Sequence, residues 1–229
     1  MINVLYEDNH IIVVVKPQNV PTQGDESGDS DMLSQVKEYI KVKYNKPGNV
    51  YVGLVHRLDR PTGGVMVFAK TSKAASRLTE SIKSGDMQKN YLAVTVGVPK
   101  ERNAKLTNYL AKNEKTNTVS VVGVGTTGAK YAELKYSVLD STDKVALLDV
   151  DLYTGRSHQI RVQLKHIGNP IYGDVKYGGD TLAKGHNLAL WAYNLKFTHP
   201  TTKKLMSFKV YPDLTQVPFS TFAKTINTL

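Results

Sequence analysis

Apolar residues recur along this chain in two rhythms, and each rhythm implies an element. Residues 4–6 and 11–16 read as two strands of a hairpin that turns at Glu7-Asp8-Asn9. Residues 65–69 form a short apolar run, 91–98 are rich in β-branched and aromatic side chains, and 131–138 alternate. Residues 145–153, 188–197 and 206–210 complete the predicted strands. Helical spacing is rarer. Residues 32–44 carry Leu33, Val36 and Ile40 behind Asp31 as an N-cap, and 72–83 carry Ala75, Leu78 and Ile82 behind Thr71 or Ser72. Residues 157–167 carry Ile160, Leu164 and Ile167, with Gly168 as the stop. Strands and helices do not alternate regularly. The expected class is therefore α+β, a mixed and mostly antiparallel sheet with flanking helices.

Between these segments the sequence shows no repeat and no long linker, so residues 1–229 are expected to form one domain. Residues 23–31, with Asp25, Glu26, Asp29 and Asp31 among Gly24 and Gly28, read as an acidic loop. Gly123-Val124-Gly125 reads as a hairpin turn. A chain of 229 residues buries about 70% of its unfolded surface, enough for a core without staples.

Charge narrows the partner. Thirty Lys and Arg against 20 Asp and Glu give a net charge of +10, the expected footprint of a nucleic-acid partner. There is no cysteine, which removes disulfides, cysteine-ligated zinc and thiol catalysis. The longest apolar runs, such as 11–15, fall far short of the roughly 20 residues that span a membrane. No secretory signal is readable at the start, so a cytoplasmic location is expected.

Two segments concentrate chemistry. In His56-Arg57-Leu58-Asp59-Arg60-Pro61-Thr62-Gly63-Gly64 a carboxylate lies between two guanidinium groups. Neighbouring cations keep an Asp ionised, which suits a nucleophile or base at a charged substrate and equally suits a surface ion pair. In Thr154-Gly155-Arg156-Ser157-His158-Gln159-Ile160-Arg161 several donors open a predicted helix, either as an anion site or as a solvated basic end. The six His residues show no metal-ligand spacing. The chain has no phosphate-binding loop, no dinucleotide fingerprint and no Gly-x-Ser-x-Gly elbow. Thirteen tyrosines offer rings on which unstacked bases can rest.

Taken together, the blocks resemble the RluA-type pseudouridine synthase family. Leu5-Tyr6-Glu7-Asp8 through Ile12-Val13-Val14-Val15-Lys16-Pro17 is similar to its opening strands, and His56-Arg57-Leu58-Asp59-Arg60 with Thr62 and Gly64 to its catalytic block. Lys89-x-Tyr91 resembles its Tyr block, and Gly155-Arg156-Ser157-His158-Gln159-Ile160-Arg161 with Gly168, Pro170, Gly173 and Asp174 its Arg block. Leu190-x-Ala192-Tyr193 through His199-Pro200 also fits, so the resemblance covers residues 4–212.

The resemblance implies a pseudouridine synthase fold and an RNA-uridine isomerase that needs neither cofactor nor metal. Asp59 would be the catalytic carboxylate, Tyr91 would stack on the target base, and Arg161 would pair with Asp59. Arg57 would enter the RNA stack where the uridine leaves it, and Arg156 would hold phosphate. His56, Arg60, Thr62 and His158 would complete the substrate contacts. The expected partner is ribosomal or transfer RNA, and the expected state is a monomer. Gly63 stands where many members have Ser, and Gln163 and Asn169 stand where His is frequent, which touches helix-surface contacts. The S4-like domain that some members carry in front is absent from these residues. Two other classes compete. One is a non-catalytic RNA-binding module on the same fold. The other is a glycoside hydrolase, which would want a second acid roughly 5–10 Å from Asp59.

Overall fold

The computed structural model describes residues 2–178 and 185–229. In chain order the elements are β1 (Asn3–Glu7), β2 (Ile11–Lys16), α1 (Met32–Lys43), β3 (Gly53–Leu54), β4 (Gly63–Ala69) and α2 (Ser72–Ser84). They continue with β5 (Gln88–Val96), β6 (Asn103–Asn113), β7 (Thr118–Val122), β8 (Lys130–Ser141), β9 (Val145–Leu152) and α3 (Gln159–His166). The last are β10 (Leu190–Thr198), β11 (Leu205–Lys209), a 3₁₀ turn (Phe219–Phe222) and α4 (Ala223–Ile226). The class is the expected α+β. Two compact units emerge: residues up to Gln88 with Ala192–Val210, and Lys89–Trp191 with Tyr211–Leu229.

In the first unit the sheet runs β1-β2-β4-β10, with β3 also against β4 and β11 against β10. β2 and β4 are buried along their whole length and pair antiparallel, Ile11 with Ala69 through Lys16 with Gly64. Burial on both faces explains why these strands read as continuous apolar runs. Ile11, Val13, Val65, Val67, Leu195 and Phe197 form the core with Ala74 and Leu78 of α2. Both helices are capped as expected: Asp31 accepts from the Ser34 N–H and Thr71 from the Ala74 N–H. Gly64 is a steric requirement. Its φ is +128°, and a Cβ there would lie 2.2 Å from the Ala192 carbonyl oxygen.

Two polar clusters tie the outer strands down. His199 donates from Nε2 to Asp8 Oδ2 at 2.9 Å, while its Nδ1 accepts from the Thr201 and Thr202 N–H groups. Glu7 takes Lys43 and Lys70, each at 2.6 Å, and the Tyr44 hydroxyl at 2.9 Å. Burial pushes the Glu7 carboxyl up, but these three donors outweigh it and bring it down to about 2. The stability tied to this shift is present above the ordinary value of 4.5 and fades as pH falls toward 2. It amounts to about 3 kcal/mol at neutral pH, with about 2 kcal/mol gone by pH 3. Urea midpoints should therefore separate wild type from Glu7→Gln clearly at pH 6 and much less at pH 3. An unchanged gap would remove Glu7 from the acid response.

In the second unit the sheet order is β5-β9-β8-β6-β7, every neighbouring pair antiparallel. α3 packs over β6 and β7, where Val162 meets Leu110, Val119, Ala132 and Tyr177. Gln163 is fully buried, and its amide donates to Asn108 Oδ1 at 2.8 Å and the Leu106 carbonyl at 3.2 Å. The expectation of a helix-surface position at Gln163 is corrected on this point: the residue fastens α3 to the sheet. Phe219, Phe222 and Ile226 of the C-terminal turns are buried.

The eight predicted strands are all present. β3, β6 and β7 were not foreseen. The Gly123-Val124-Gly125 turn lies between β7 and β8, but these strands do not pair with each other. Both pair with β6, on its two edges, so the turn is not that of a hairpin. Among the described residues no helix is long and apolar enough to cross a membrane.

Candidate active site

Five of the candidate residues share the segment from His56 to Thr62, between β3 and β4 of the first unit. The backbone on either side of Asp59 is pinned from below. Thr22 Oγ1 donates to the Leu58 carbonyl at 2.8 Å and accepts from the Leu58 N–H at 3.3 Å. The Asp59 carbonyl accepts from the Thr62 N–H at 2.9 Å, which closes a turn through Arg60 and Pro61. The Arg60 carbonyl accepts from Lys16 Nζ at 3.0 Å. Lys16 is wholly buried and donates as well to the carbonyls of Pro17 (2.9 Å) and Val20 (2.6 Å). Three acceptors thus serve its three protons. Burial draws the Lys16 ammonium down to about 7, and the nearby Asp59 carboxylate opposes that shift.

The side chains differ in their freedom. Arg57 is exposed, and Asp59 is half-buried. His56 Nε2 accepts from the Val67 N–H at 3.1 Å, so the ring braces the segment against β4. Thr62 is 2% exposed, and among the described residues its hydroxyl finds no hydrogen-bond partner. A buried hydroxyl left unpaired costs about 1–3 kcal/mol. Arg60 is engaged by residues 23–31: it pairs with Asp29, and its Nη1 lies 3.0 Å from Ser27 Oγ and 3.5 Å from Asp25 Oδ2.

The other four candidates lie in the second unit. Tyr91 sits in β5, paired with Val150 and 6% exposed. Burial lowers the ammonium of Lys89, two residues before it, and Gly155 adjoins that ammonium. Arg156 is exposed, with its Nε donating to the Tyr131 carbonyl at 2.9 Å. The predicted helix begins two residues late, at Gln159, because His158 adopts a left-handed conformation with φ +53°. Val119 N–H donates to the Tyr177 hydroxyl at 2.9 Å, and the same hydroxyl shares a 2.6 Å hydrogen bond with His158 Nδ1.

Arg161 is held more firmly than the sequence suggested. Its Nε and Nη2 reach Asp174 Oδ2 and Oδ1 at 2.8 and 2.7 Å, a bidentate pair. Tyr177 lies under the guanidinium, 5.0 Å from ring centre to carbon. Asp174 Oδ1 also accepts from the Lys176 and Tyr177 N–H groups, both at 3.1 Å. Asp174 is placed by Gly173, whose φ is +77° and where a Cβ would lie 2.1 Å from the Asn187 carbonyl oxygen. Lys16, Thr22, Asp174 and Tyr177 are the residues that site reasoning missed. Lys16 and Asp174 fell inside the quoted blocks, while Thr22 and Tyr177 carried no local signal.

Known proteins match this chain closely. A family model described as RNA pseudouridylate synthase matches residues 10–166, a stretch that enters both units. An uncharacterised RNA pseudouridine synthase of Mycoplasma pneumoniae is 32% identical over 215 residues, 93% of this chain and 68% of that protein. The ribosomal large subunit pseudouridine synthase C of Escherichia coli is 34% identical over 218 residues, 92% of this chain and 66% of that protein. The chain thus spans about two thirds of the length of these relatives. Among solved structures, human RNA Pseudouridylate Synthase Domain Containing 4 superposes with a TM-score of 0.79 at 23% identity, covering 98% of this chain and 93% of that one. Human RNA Pseudouridylate Synthase Domain Containing 1 follows at 0.70 and 22%, covering 96% and 86%.

Proposed function

The chain belongs to the RNA pseudouridylate synthase family, and from that premise we propose that it isomerises specific uridines of structured RNA through Asp59. The observation that carries this reading is the backbone at Asp59, fixed on both sides by Thr22 and Lys16 and closed by the Thr62 N–H. The reading gives the Asp59 carboxylate one task. It acts on the ribose C1′ or on a sugar proton. The bond from N1 to C1′ breaks, the uracil rotates, C5 bonds to C1′, the C5 proton passes to a base and on to solvent, and N1 takes up a proton. Base and sugar stay within one nucleotide and no electrons are gained or lost, so the reading calls for no cofactor and no metal.

The target atom is unreachable inside a stack, so the nucleotide is flipped into the site. Tyr91 gives the flipped base an aromatic surface and is the candidate acceptor for the C5 proton. Arg161, held by Asp174 and Tyr177, is the cation that this reading assigns to the Asp59 carboxylate. Exposed Arg57 fills the gap that the uridine leaves. Thr62, buried in the catalytic turn, stays among the substrate contacts of this reading. His56 and His158 brace the two blocks, and Arg156 and Arg60 meet phosphate. The net charge of +10 supplies sequence-independent affinity. The reading takes residues 1–229 as one catalytic domain, monomeric and cytoplasmic.

Release of tritium from C5 of labelled uridine tests it. Unmodified ribosomal and transfer RNA are offered separately, ribosomal RNA first because the Escherichia coli relative is named for it. Release from one of them is the expected result, and no release from either overturns the reading. Lys16 gives a second check. Lys16→Met strands three carbonyls and loosens the mount of Asp59, so kcat should fall 100-fold or more while RNA affinity stays within a few fold. Equal losses in kcat and affinity would instead mark a general folding defect.

A further inference from the structure

Arg60 adjoins Asp59, yet its guanidinium is occupied by the acidic loop. Asp29, Ser27 and Asp25 all contact it, and Asp25 Oδ1 accepts in turn from the Ser27 hydroxyl (2.5 Å) and N–H (3.0 Å). Residues 23–30 are exposed throughout. Both ends of the loop are tied, through the Met32 N–H to the Pro21 carbonyl (2.9 Å) and the Leu33 N–H to the Thr22 carbonyl (3.1 Å). The loop therefore holds its carboxylates at a fixed place without burying them. Carboxylate oxygens gathered on an arginine reproduce what a phosphate offers the same group.

We propose that Asp25 and Asp29 are phosphate mimics that occupy Arg60 until substrate RNA supplies a phosphate to displace them. This rests on the synthase reading of the Asp59 segment. Side-chain and backbone hydrogen bonds from Ser27 hold Asp25 below the usual carboxylate range, and Arg60 does the same for Asp29. Arg60 and both carboxylates are each more than two fifths exposed, so the pairing is weak and screened by salt. RNA can therefore break it. The loop thus sets a threshold that a phosphate overcomes to reach Arg60.

The test is a cycle of four proteins: wild type, Asp25→Asn/Asp29→Asn, Arg60→Gln, and the triple variant. Each is titrated with a labelled 20-nucleotide oligouridine at fixed salt. With Arg60 present, removing the two charges should tighten Kd about three- to tenfold. In the Arg60→Gln background the same change should tighten it less than twofold. Equal tightening in both backgrounds would reduce the loop to general charge and overturn the proposal. Weaker binding after removal of the charges would make the loop a strut for Arg60 and overturn it as well. Tritium release by the wild type, run alongside, judges the synthase reading separately, because the binding cycle reads out whether or not turnover occurs.

Discussion

Asp59→Asn should abolish tritium release, with turnover reduced at least ~10⁴-fold, the scale on which removing an essential catalytic group acts. The amide keeps the shape of the carboxylate and all three backbone ties around it, since Leu58, Arg60 and the Asp59 carbonyl are held through main-chain atoms. The fold should not change, and thermal melting should shift by no more than a few degrees. RNA affinity should stay within a few fold, because one charge is lost against a net +10. Single-turnover release measured beside filter binding separates the two effects. Turnover above one hundredth of wild type would remove Asp59 from the chemistry. A similar loss in Asp59→Glu would show that placement of the carboxylate, and not its charge alone, is required.

The second large effect is structural. Asp174→Ala leaves the Arg161 guanidinium buried, its side chain 6% exposed, beside an aromatic ring but without its bidentate carboxylate. Breaking one half of a buried ion pair costs about 3–5 kcal/mol. For a chain of this size that lowers the melting temperature on the order of 10 °C. Replacing both partners by apolar residues, Arg161→Met with Asp174→Leu, removes the stranded charge and should recover most of that loss. Activity should not recover, because the reading gives Arg161 a role at Asp59. A double variant that melts like wild type and turns over RNA would leave Arg161 a purely structural residue. One that stays as unstable as Asp174→Ala would show that the hydrogen bonds from Lys176 and Tyr177 to Asp174 matter more than the ion pair.

How much of this was legible depended on distance along the chain. Strands buried on both faces, such as β2 and β4, declared themselves as apolar runs, and the caps at Asp31 and Thr71 were visible from spacing alone. β6 was hidden because its inward positions run Ala104, Leu106, Asn108 and Leu110. A polar residue interrupts the alternation where Gln163 needs a partner. β7 is short and was masked by the glycines after it. The candidate residues were legible as blocks, but what holds each block was not. Thr22 lies 36 residues before Leu58, Asp174 lies 13 after Arg161, and Asp29 lies 31 before Arg60. Such partners are chosen by the fold, and no local period announces them. Sequence also could not place His158 in a left-handed conformation, a position stabilised by the hydroxyl of Tyr177, 19 residues later.

The path of the chain has a cost during synthesis. β4 ends at Ala69, and the residues of β10 that belong to the same unit begin at Ala192, 123 positions later (192 − 69). At ribosomal elongation rates that interval is roughly 6–25 s. Throughout it, one edge of the fully apolar strand Gly63–Ala69 has no neighbour from β10. β3 covers only its Phe68–Ala69 end, and the open remainder of an apolar edge is a template for association with other nascent chains. The close approach of Gly64 to Ala192 makes the late arrival exacting as well, since the incoming strand docks against bare backbone. Yield in the cell should therefore depend on holdase chaperones and on translation speed between codons 70 and 192, quantities that no measurement on the finished protein would reveal.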